Sequence, residues 1–139
     1  MNFRKMTHDD LLYLQNHSIR PIGFCTLCPE EIDFDYTLEH EGKVLGAGGF
    51  RLIASSTAWA WVQIAPEALE NLVTVYRVIK EWMDIWAQTH KIHRIQAWVD
   101  VSHEEGKRMA EHLGFHKESK MTDFLGPKKG AWLYVKLYP

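Results

Sequence analysis

The fold is decided by one stretch of this sequence, Ile95-Gln96-Ala97-Trp98-Val99-Asp100-Val101-Ser102-His103-Glu104-Glu105-Gly106-Lys107-Arg108-Met109-Ala110-Glu111-His112-Leu113-Gly114-Phe115. Apolar and polar residues alternate in its first third, which predicts a strand. Ser102 and Glu105 have the spacing of a capping box, so a helix is predicted to begin there. Leu113-Gly114 predicts its end, because a glycine after the last turn adopts the left-handed conformation of a helix C-cap. Phe115 then begins the next apolar segment.

The composition predicts one globular domain over residues 1–139. A net charge of −2 and a pI of about 6.4 exclude the basic footprint of a nucleic-acid-binding protein. Apolar runs stay shorter than the roughly 20 residues that cross a bilayer, and residues 1–10 lack the apolar core of a signal peptide. A chain with two cysteines has no disulfide framework. We therefore expect a cytoplasmic protein that binds neither nucleic acid nor membrane.

The rest of the sequence extends this pattern to the order β-α-(loop)-β-β-β-α-β-α-β-β over residues 3–138. Further strands are predicted at 3–6, 34–40, 43–53, 57–64, 115–121 and 131–138, and helices at 7–17 and about 67–89. Residues 18–33 contain Pro21, Gly23 and Pro29, which predict a loop with one short helix. Gly42 predicts a hairpin turn, and the glycines that follow within the next strand predict a bulge or a close backbone approach.

This order, the helix that ends in Leu113-Gly114-Phe115 and the terminal strand pair resemble the GCN5-related N-acetyltransferases (GNAT superfamily). The resemblance implies an α/β (α+β) fold, with one GNAT-like domain and a mixed, mostly antiparallel sheet of six to seven strands flanked by helices. It places a splay in the sheet between residues 57–64 and 93–100. It also implies acyl-CoA-dependent N-acyl transfer, from acetyl-CoA to an amine of a small molecule, peptide or protein. Acetyl-CoA or CoA would then be the cosubstrate, and no metal is needed.

The resemblance also assigns positions to the parts of CoA. In the family, the pyrophosphate lies on backbone N–H groups at the start of the central helix, and the pantetheine arm pairs with main chain before it. The corresponding cofactor-binding residues here are Val62, Gln63, Ile64, Leu69, Glu70, Asn71, Leu72 and Val73. Leu69, Glu70 and Leu72 replace the family's arginine and glycines. Their side chains narrow the approach of the pyrophosphate to the main chain, and the negative charge of Glu70 repels it. The alternative is an ordinary helix start that binds no nucleotide.

The groups that move protons depart from the family as well. The tyrosine that protonates the leaving thiolate is replaced by Ala110, and the strand that often carries a glutamate offers only Trp59, Trp61 and Gln63. His103 takes the place of the asparagine that begins the helix, and a histidine side chain titrates near neutral pH. His103 is therefore the predicted catalytic residue, the alternative being an exposed histidine in a solvated first turn. The other candidates are Asp100, Glu104 and Tyr134.

Cys25 and Cys28 have the spacing of half a zinc site, with His17 and His40 nearby in the sequence. A single Cys-x-x-Cys pair without a second one is weak evidence for a metal site. Two ordinary loop cysteines are the favoured interpretation, and no metal is predicted.

A second hypothesis is a non-catalytic descendant of the same fold. Short chains of this kind with altered phosphate loops resemble virion and head-associated proteins of tailed bacteriophages. The partner would then be a virion protein or, in a homodimer, a second copy of this chain, and the location would be the virion rather than the cytoplasm. Since a fold does not determine function, both hypotheses stay open at the level of sequence.

Overall fold

The structure, a computed structural model, describes residues 1–17, 19–22 and 35–139, with the backbone alone for 19–22. The strands are β1 (Asn2–Lys5), β2 (Ile19–Ile22), β3 (Asp35–His40), β4 (Lys43–Ala54), β5 (Thr57–Ile64), β6 (Arg94–Asp100), β7 (His116–Gly126) and β8 (Lys129–Leu137). The α-helices are α1 (His8–His17), α2 (Leu72–Thr89) and α3 (Glu104–His112). Across these described ranges the sheet has the order β1-β3-β4-β5-β6-β8-β7, and β2 pairs with β5 off that path. The predicted fold class is confirmed.

The β3–β4 hairpin forms where glycine predicted it. Glu41 and Gly42 both have positive φ, 52° and 76°, as a two-residue hairpin turn requires. The pairing shifts between Leu38 and Glu39, which leaves a bulge in β4. A Cβ on Gly46 would lie 2.7 Å from the carbonyl oxygen of Gln63, so β4 lies too close to β5 for a side chain there. Both predicted features, a bulge and a close backbone approach, are present.

Two layers of helix cover the sheet. On one face, α2 and α3 enclose the larger core, in which Phe50 and Trp86 stack with ring centroids 3.8 Å apart. On the other face, Leu14 of α1 packs in a smaller cluster with Trp61. Successive residues of a strand point to opposite faces, so Ala60 and Trp61 belong to different cores.

Buried carboxylates hold the α1 side together. Asp35 is fully buried and accepts hydrogen bonds from the Arg51 guanidinium at 2.8 Å and from Trp61 Nε1 at 2.9 Å. Thr7 and Asp10 form a reciprocal cap, with Asp10 N–H donating to Thr7 Oγ1 and Thr7 N–H donating to Asp10 Oδ2. The predicted start of α1 is confirmed. Burial opposes ionisation of Asp10, but hydrogen bonds from Arg4, Thr7 and Thr37 outweigh it and lower its pKa to about 2.

The end of α3 is as predicted and its start is not. Phe115 N–H donates to Ala110 O and Gly114 N–H to Glu111 O, both at 3.0 Å, which is a Schellman motif with Gly114 at φ 94°. The predicted start at Ser102 is wrong by one residue. Asp100 Oδ1 accepts hydrogen bonds from both the N–H and the hydroxyl of Ser102, at 2.9 and 2.8 Å. His103 is the N-cap residue instead.

The predicted start of α2 at about residue 67 is also wrong. Residues Pro66–Asn71 form a 3₁₀ helix, and the α-helix begins at Leu72. Asn71 has φ −133° and ψ 36°, outside the helical region. Asn71 is therefore the N-cap residue of α2, although its side chain makes no cap hydrogen bond.

Part of the predicted loop at 18–33 is a strand. Residues 19–22 pair with β5, although Pro21 lies among them. A proline in a strand is tolerated at an edge or a bulge, and here the register shifts between Ile19 and Ile22. Cys25 and Cys28, and the short helix predicted in this segment, lie outside the described residues.

Candidate functional site

The centre of the sheet divides between β5 and β6. These parallel strands pair at Thr57 with Arg94, Ala58 with Ile95 and Trp59 with Gln96, and diverge beyond the last pair. Because parallel strands end at the same edge of a sheet, the ends of β5 and β6 lie on the two sides of this splay. The predicted residues Val62, Gln63 and Ile64 end β5, and His103 follows the end of β6. The structure thus brings the predicted cofactor and catalytic residues to one edge.

The main chain at the end of β5 already has partners on both sides. On the outer side, β4 pairs Gly46 with Ile64 and Gly48 with Val62. On the side that faces β6, β2 pairs Ile19 with Ile64 and Ile22 with Val62. The strand β2 therefore occupies the edge that the sequence analysis assigned to a pantetheine arm.

The residues assigned to the pyrophosphate follow directly after β5. Leu69, Glu70 and Asn71 lie in the 3₁₀ helix, while Leu72 and Val73 begin α2. Leu69 is 54% and Val73 81% exposed, so apolar side chains face solvent here. The N-cap residue of α2, Asn71, makes no side-chain cap hydrogen bond, so the side chain that commonly covers the first N–H groups of a helix does not do so here.

The charges around this helix start are mainly negative. Glu70 is exposed on the 3₁₀ helix, and Glu67 accepts a hydrogen bond from the Tyr13 hydroxyl. That bond, and then a backbone hydrogen bond, lower the pKa of Glu67, so Glu67 is ionised at neutral pH. Two carboxylates next to the helix start weaken its attraction for a phosphate.

His103 is buried rather than solvated, so the alternative of an exposed histidine is wrong. Only 4% of the residue is accessible. Its ring lies against Gly106, where an added Cβ would be 2.4 Å from Nδ1. Its Nε2 is 4.0 Å from Glu105 Oε2.

The other candidate groups are engaged in local contacts. Asp100 binds Ser102, as described, and Glu104 pairs with Lys107 at 2.7 Å. Tyr134 is fully buried on β8, with its hydroxyl 3.5 Å from Glu111 Oε1. Burial, and then the Glu111 carboxylate, raise the pKa of Tyr134, so its phenol keeps its proton at neutral pH.

An apolar cavity of about 60 Å³ lies between the sheet and the helices α2 and α3. Val62 and Ile64, two residues assigned to the cofactor, line it from β5. Ala110, which stands where the resemblance expects a tyrosine, lines it from α3.

Three features of the site escaped the sequence analysis. The first is β2, because the proline and glycine residues of this segment predicted a loop. The second is the cavity, for which the small residues Ala60, Ala97 and Ala110 in apolar segments were an available signal. The third is the burial of Gln63 at 3% exposure, with no hydrogen-bond partner for its Oε1 among the described residues.

Solved structures share this architecture over nearly the whole chain. A spermidine N-acetyltransferase chimera from Vibrio cholerae and hSSAT has a TM-score of 0.75 and 17% identity, covering 99% of this chain and 96% of that one. A ribosomal-protein-alanine N-acetyltransferase from Brucella melitensis has a TM-score of 0.74 and 16% identity, covering 99% and 100%. This chain has the GNAT fold.

A third structure, from Desulfovibrio desulfuricans and described as a putative acetyltransferase of the GNAT family, matches with a TM-score of 0.72 and 15% identity, covering 98% of each chain. No family model and no curated protein matches the sequence. Sequence identities this low leave the chemistry of the site to be argued from its own residues.

Neither a metal site nor a membrane span is found in the described part of the chain. Its histidine, cysteine and acidic side chains form no group of three or more that would hold a metal ion. None of its helices is long and apolar enough to cross a membrane.

Proposed function

We propose that the protein transfers an acyl group from an acyl-CoA to an amine of a small molecule, peptide or protein. The observation that carries the proposal is the divergence of β5 and β6 beyond Trp59 and Gln96, next to the uncapped start of α2. The named N-acetyltransferases that share the fold support the same class of reaction. The pantetheine arm would enter the splay, and the pyrophosphate would meet the N–H groups of residues 69–73.

The reaction needs two proton movements. The acceptor nitrogen attacks the thioester carbonyl carbon, a C–N bond forms and the C–S bond breaks. The nitrogen loses a proton, and the CoA thiolate takes one up. His103 is our candidate for the first transfer, because it lies at the splay edge and a neutral imidazole accepts a proton. Positioning of the two reactants supplies most of the acceleration, since Ala110 offers no proton to the leaving thiolate.

Binding of the pantetheine arm requires β2 to separate from β5. The main chain of Val62 and Ile64 cannot pair with β2 and with pantetheine on the same side. The strand is weakly held, because it has four residues and Pro21 has no N–H to donate. CoA binding in this fold would therefore exchange one set of main-chain hydrogen bonds for another.

Thermal unfolding with CoA and with acetyl-CoA tests the proposal. A ligand at 100 times its Kd stabilises the native state by about 2.7 kcal/mol, which raises the melting temperature by several degrees. Glu70→Gln removes a charge that repels the diphosphate, so it should tighten binding about five-fold. Glu70→Gly also opens the turn and should tighten it at least as much. An unchanged melting temperature with both ligands would count against acyl transfer.

That negative result would favour a second candidate, a non-catalytic binding or structural protein with the same fold. The specific observation in its favour is β2, which fills the splay with the chain's own backbone. Its partner would be another protein, such as a virion component, or a second copy of this chain. Size-exclusion chromatography with light scattering separates the homodimer from the monomer.

A further inference from the structure

The apolar cavity reaches the splay between β5 and β6. Trp59 and Gln96 are the last paired residues of β5 and β6, and the next residue on each strand, Ala60 and Ala97, lines the cavity. The small side chains at these two positions leave space where the strands separate. An acyl group carried into the splay by pantetheine would therefore meet this cavity.

The walls of the cavity set the chemistry of what fits. Ala110 of α3 lines it together with Leu113 and Phe115, which lie between α3 and β7. Val75 and Ile79 line it from α2. No charged side chain is among the described residues that line it. A carboxylate buried there would be unpaired, which is strongly unfavourable, whereas a hydrocarbon chain would lose only its contact with water.

The size of the cavity sets the length of the chain. An apolar cavity of about 150 Å³ holds benzene, with its six carbons. By proportion, 60 Å³ takes about two or three carbons. With the two carbons of an acetyl group at the thioester, the acyl group would have about four or five carbons.

We propose that this cavity is an acyl-chain subsite, and that the preferred donor is an unbranched, uncharged acyl-CoA of about four carbons rather than acetyl-CoA. The inference rests on the proposed acyl-CoA binding. It adds a specificity that the fold does not determine, because the lining of the subsite includes the small residues Ala60 and Ala97 at the splay, together with Ala110.

The test is calorimetric titration of the full chain with CoA and its acetyl, butanoyl, octanoyl and succinyl thioesters. Each additional buried methylene tightens binding about four-fold, so butanoyl-CoA should bind about 15-fold more tightly than acetyl-CoA. Octanoyl-CoA should bind no more tightly than butanoyl-CoA, because its chain exceeds the cavity. Succinyl-CoA has the same four-carbon length with a carboxylate and should bind more weakly than butanoyl-CoA.

Two variants on one strand locate the effect. Ala60→Val fills the cavity where the strands separate and should abolish the preference for butanoyl-CoA, while acetyl-CoA keeps its affinity within about two-fold. Ala58→Val is the matched control, because Ala58 lies on the same strand and in the same core but does not line the cavity. It should keep the preference. Ala110→Val replaces Ala60→Val if the latter does not fold.

The possible outcomes distinguish the acyl-chain subsite from the proposed acyl-CoA binding on which it rests. Equal affinities for acetyl-CoA and butanoyl-CoA would overturn the subsite and leave acyl-CoA binding intact. Retention of the preference in both Ala60→Val and Ala110→Val would also overturn it. Absence of binding by CoA and by every thioester would overturn both the subsite and the proposed function.

Discussion

At the scale of single residues, the start of α3 depends on contacts that sequence spacing does not reveal. Ser102 and Glu105 have the spacing of a capping box, but the Ser102 hydroxyl donates a hydrogen bond to Asp100. His103 takes over as the N-cap residue, and its ring fills the space that a side chain at position 106 would occupy. A glycine in the first turns of a helix is usually unfavourable, and here it is what lets the imidazole be buried.

A double-mutant cycle between His103 and Gly106 tests this contact. Gly106→Ala alone should lower the free energy of unfolding by about 1–3 kcal/mol, because the new Cβ collides with the imidazole. In a His103→Ala background, the same change should instead stabilise the protein by up to about 1 kcal/mol through helix propensity. Urea unfolding of the four proteins gives the coupling energy.

The same cycle examines the proposed catalytic role of His103. If the protein is an active acyltransferase, His103→Ala should reduce turnover by about 10²-fold or more and leave CoA affinity nearly unchanged. Gly106→Ala, which displaces the ring, should reduce turnover as well, and it should add nothing once His103 is absent. Stabilisation by Gly106→Ala alone would contradict the contact, and full turnover of His103→Ala would contradict the role.

At the scale of secondary-structure elements, three turn and cap signals were confirmed, whereas a strand that depends on a distant partner was missed. The turn at Gly42, the cap at Thr7 and the end of α3 at Gly114 each depend on a few neighbouring residues, and all three are present. The strand β2 depends instead on an unpaired edge of β5, which exists only because β6 diverges. Its composition, with Pro21, gives no sign of that distant partner, so the sequence predicted a loop.

The competition between β2 and CoA gives a prediction at this scale. Replacing Ile19 and Ile22 by glycine weakens a strand by about 0.5–1 kcal/mol per residue, so CoA should bind about ten-fold more tightly to the double variant. Ser119→Gly, in the edge strand β7, is the control and should leave the Kd unchanged. Hydrogen exchange adds a direct measure, because saturating CoA should reduce the protection of the amides in β2. Increased protection there would contradict the competition.

At the scale of the whole molecule, α2 joins the two halves of a sheet that is divided at the splay. Phe50 of β4 stacks on Trp86, and on the other half Lys136 and Tyr138 bind Asp84, with Lys136 Nζ 2.7 Å from its Oδ1. The order of elements predicted this bridge, since a helix between parallel strands must cross the sheet. The sequence predicted which residues lie at the site, but not the cavity beside them or the strand β2 that pairs with β5. Both arise from packing between distant segments, which no local sequence pattern encodes.

That packing makes the stability of the whole molecule depend on alkaline pH. All five tyrosines of the sequence have raised pKa values in the folded state. Burial is the main cause for four of them, and the hydrogen bond to Glu67 is the main cause for Tyr13. In the unfolded chain a tyrosine loses its proton near pH 10. Above that pH the folded protein therefore holds more protons than the unfolded chain, and stability must fall as pH rises.

The alkaline slope of stability measures how many phenols stay protonated in the folded protein. Above about pH 10, stability should fall by up to about 1.4 kcal/mol per pH unit for each buried tyrosine that keeps its proton in the folded state. Tyrosinate absorbance should consequently rise in the same cooperative step as unfolding, which urea titrations between pH 7 and 11 would follow. Tyr138→Phe removes one phenol and its bond to Asp84, so it should lower stability at pH 7 and reduce the alkaline slope by one proton. Tyrosinate formation near pH 10 in a protein that remains folded would contradict the raised pKa values of these phenols.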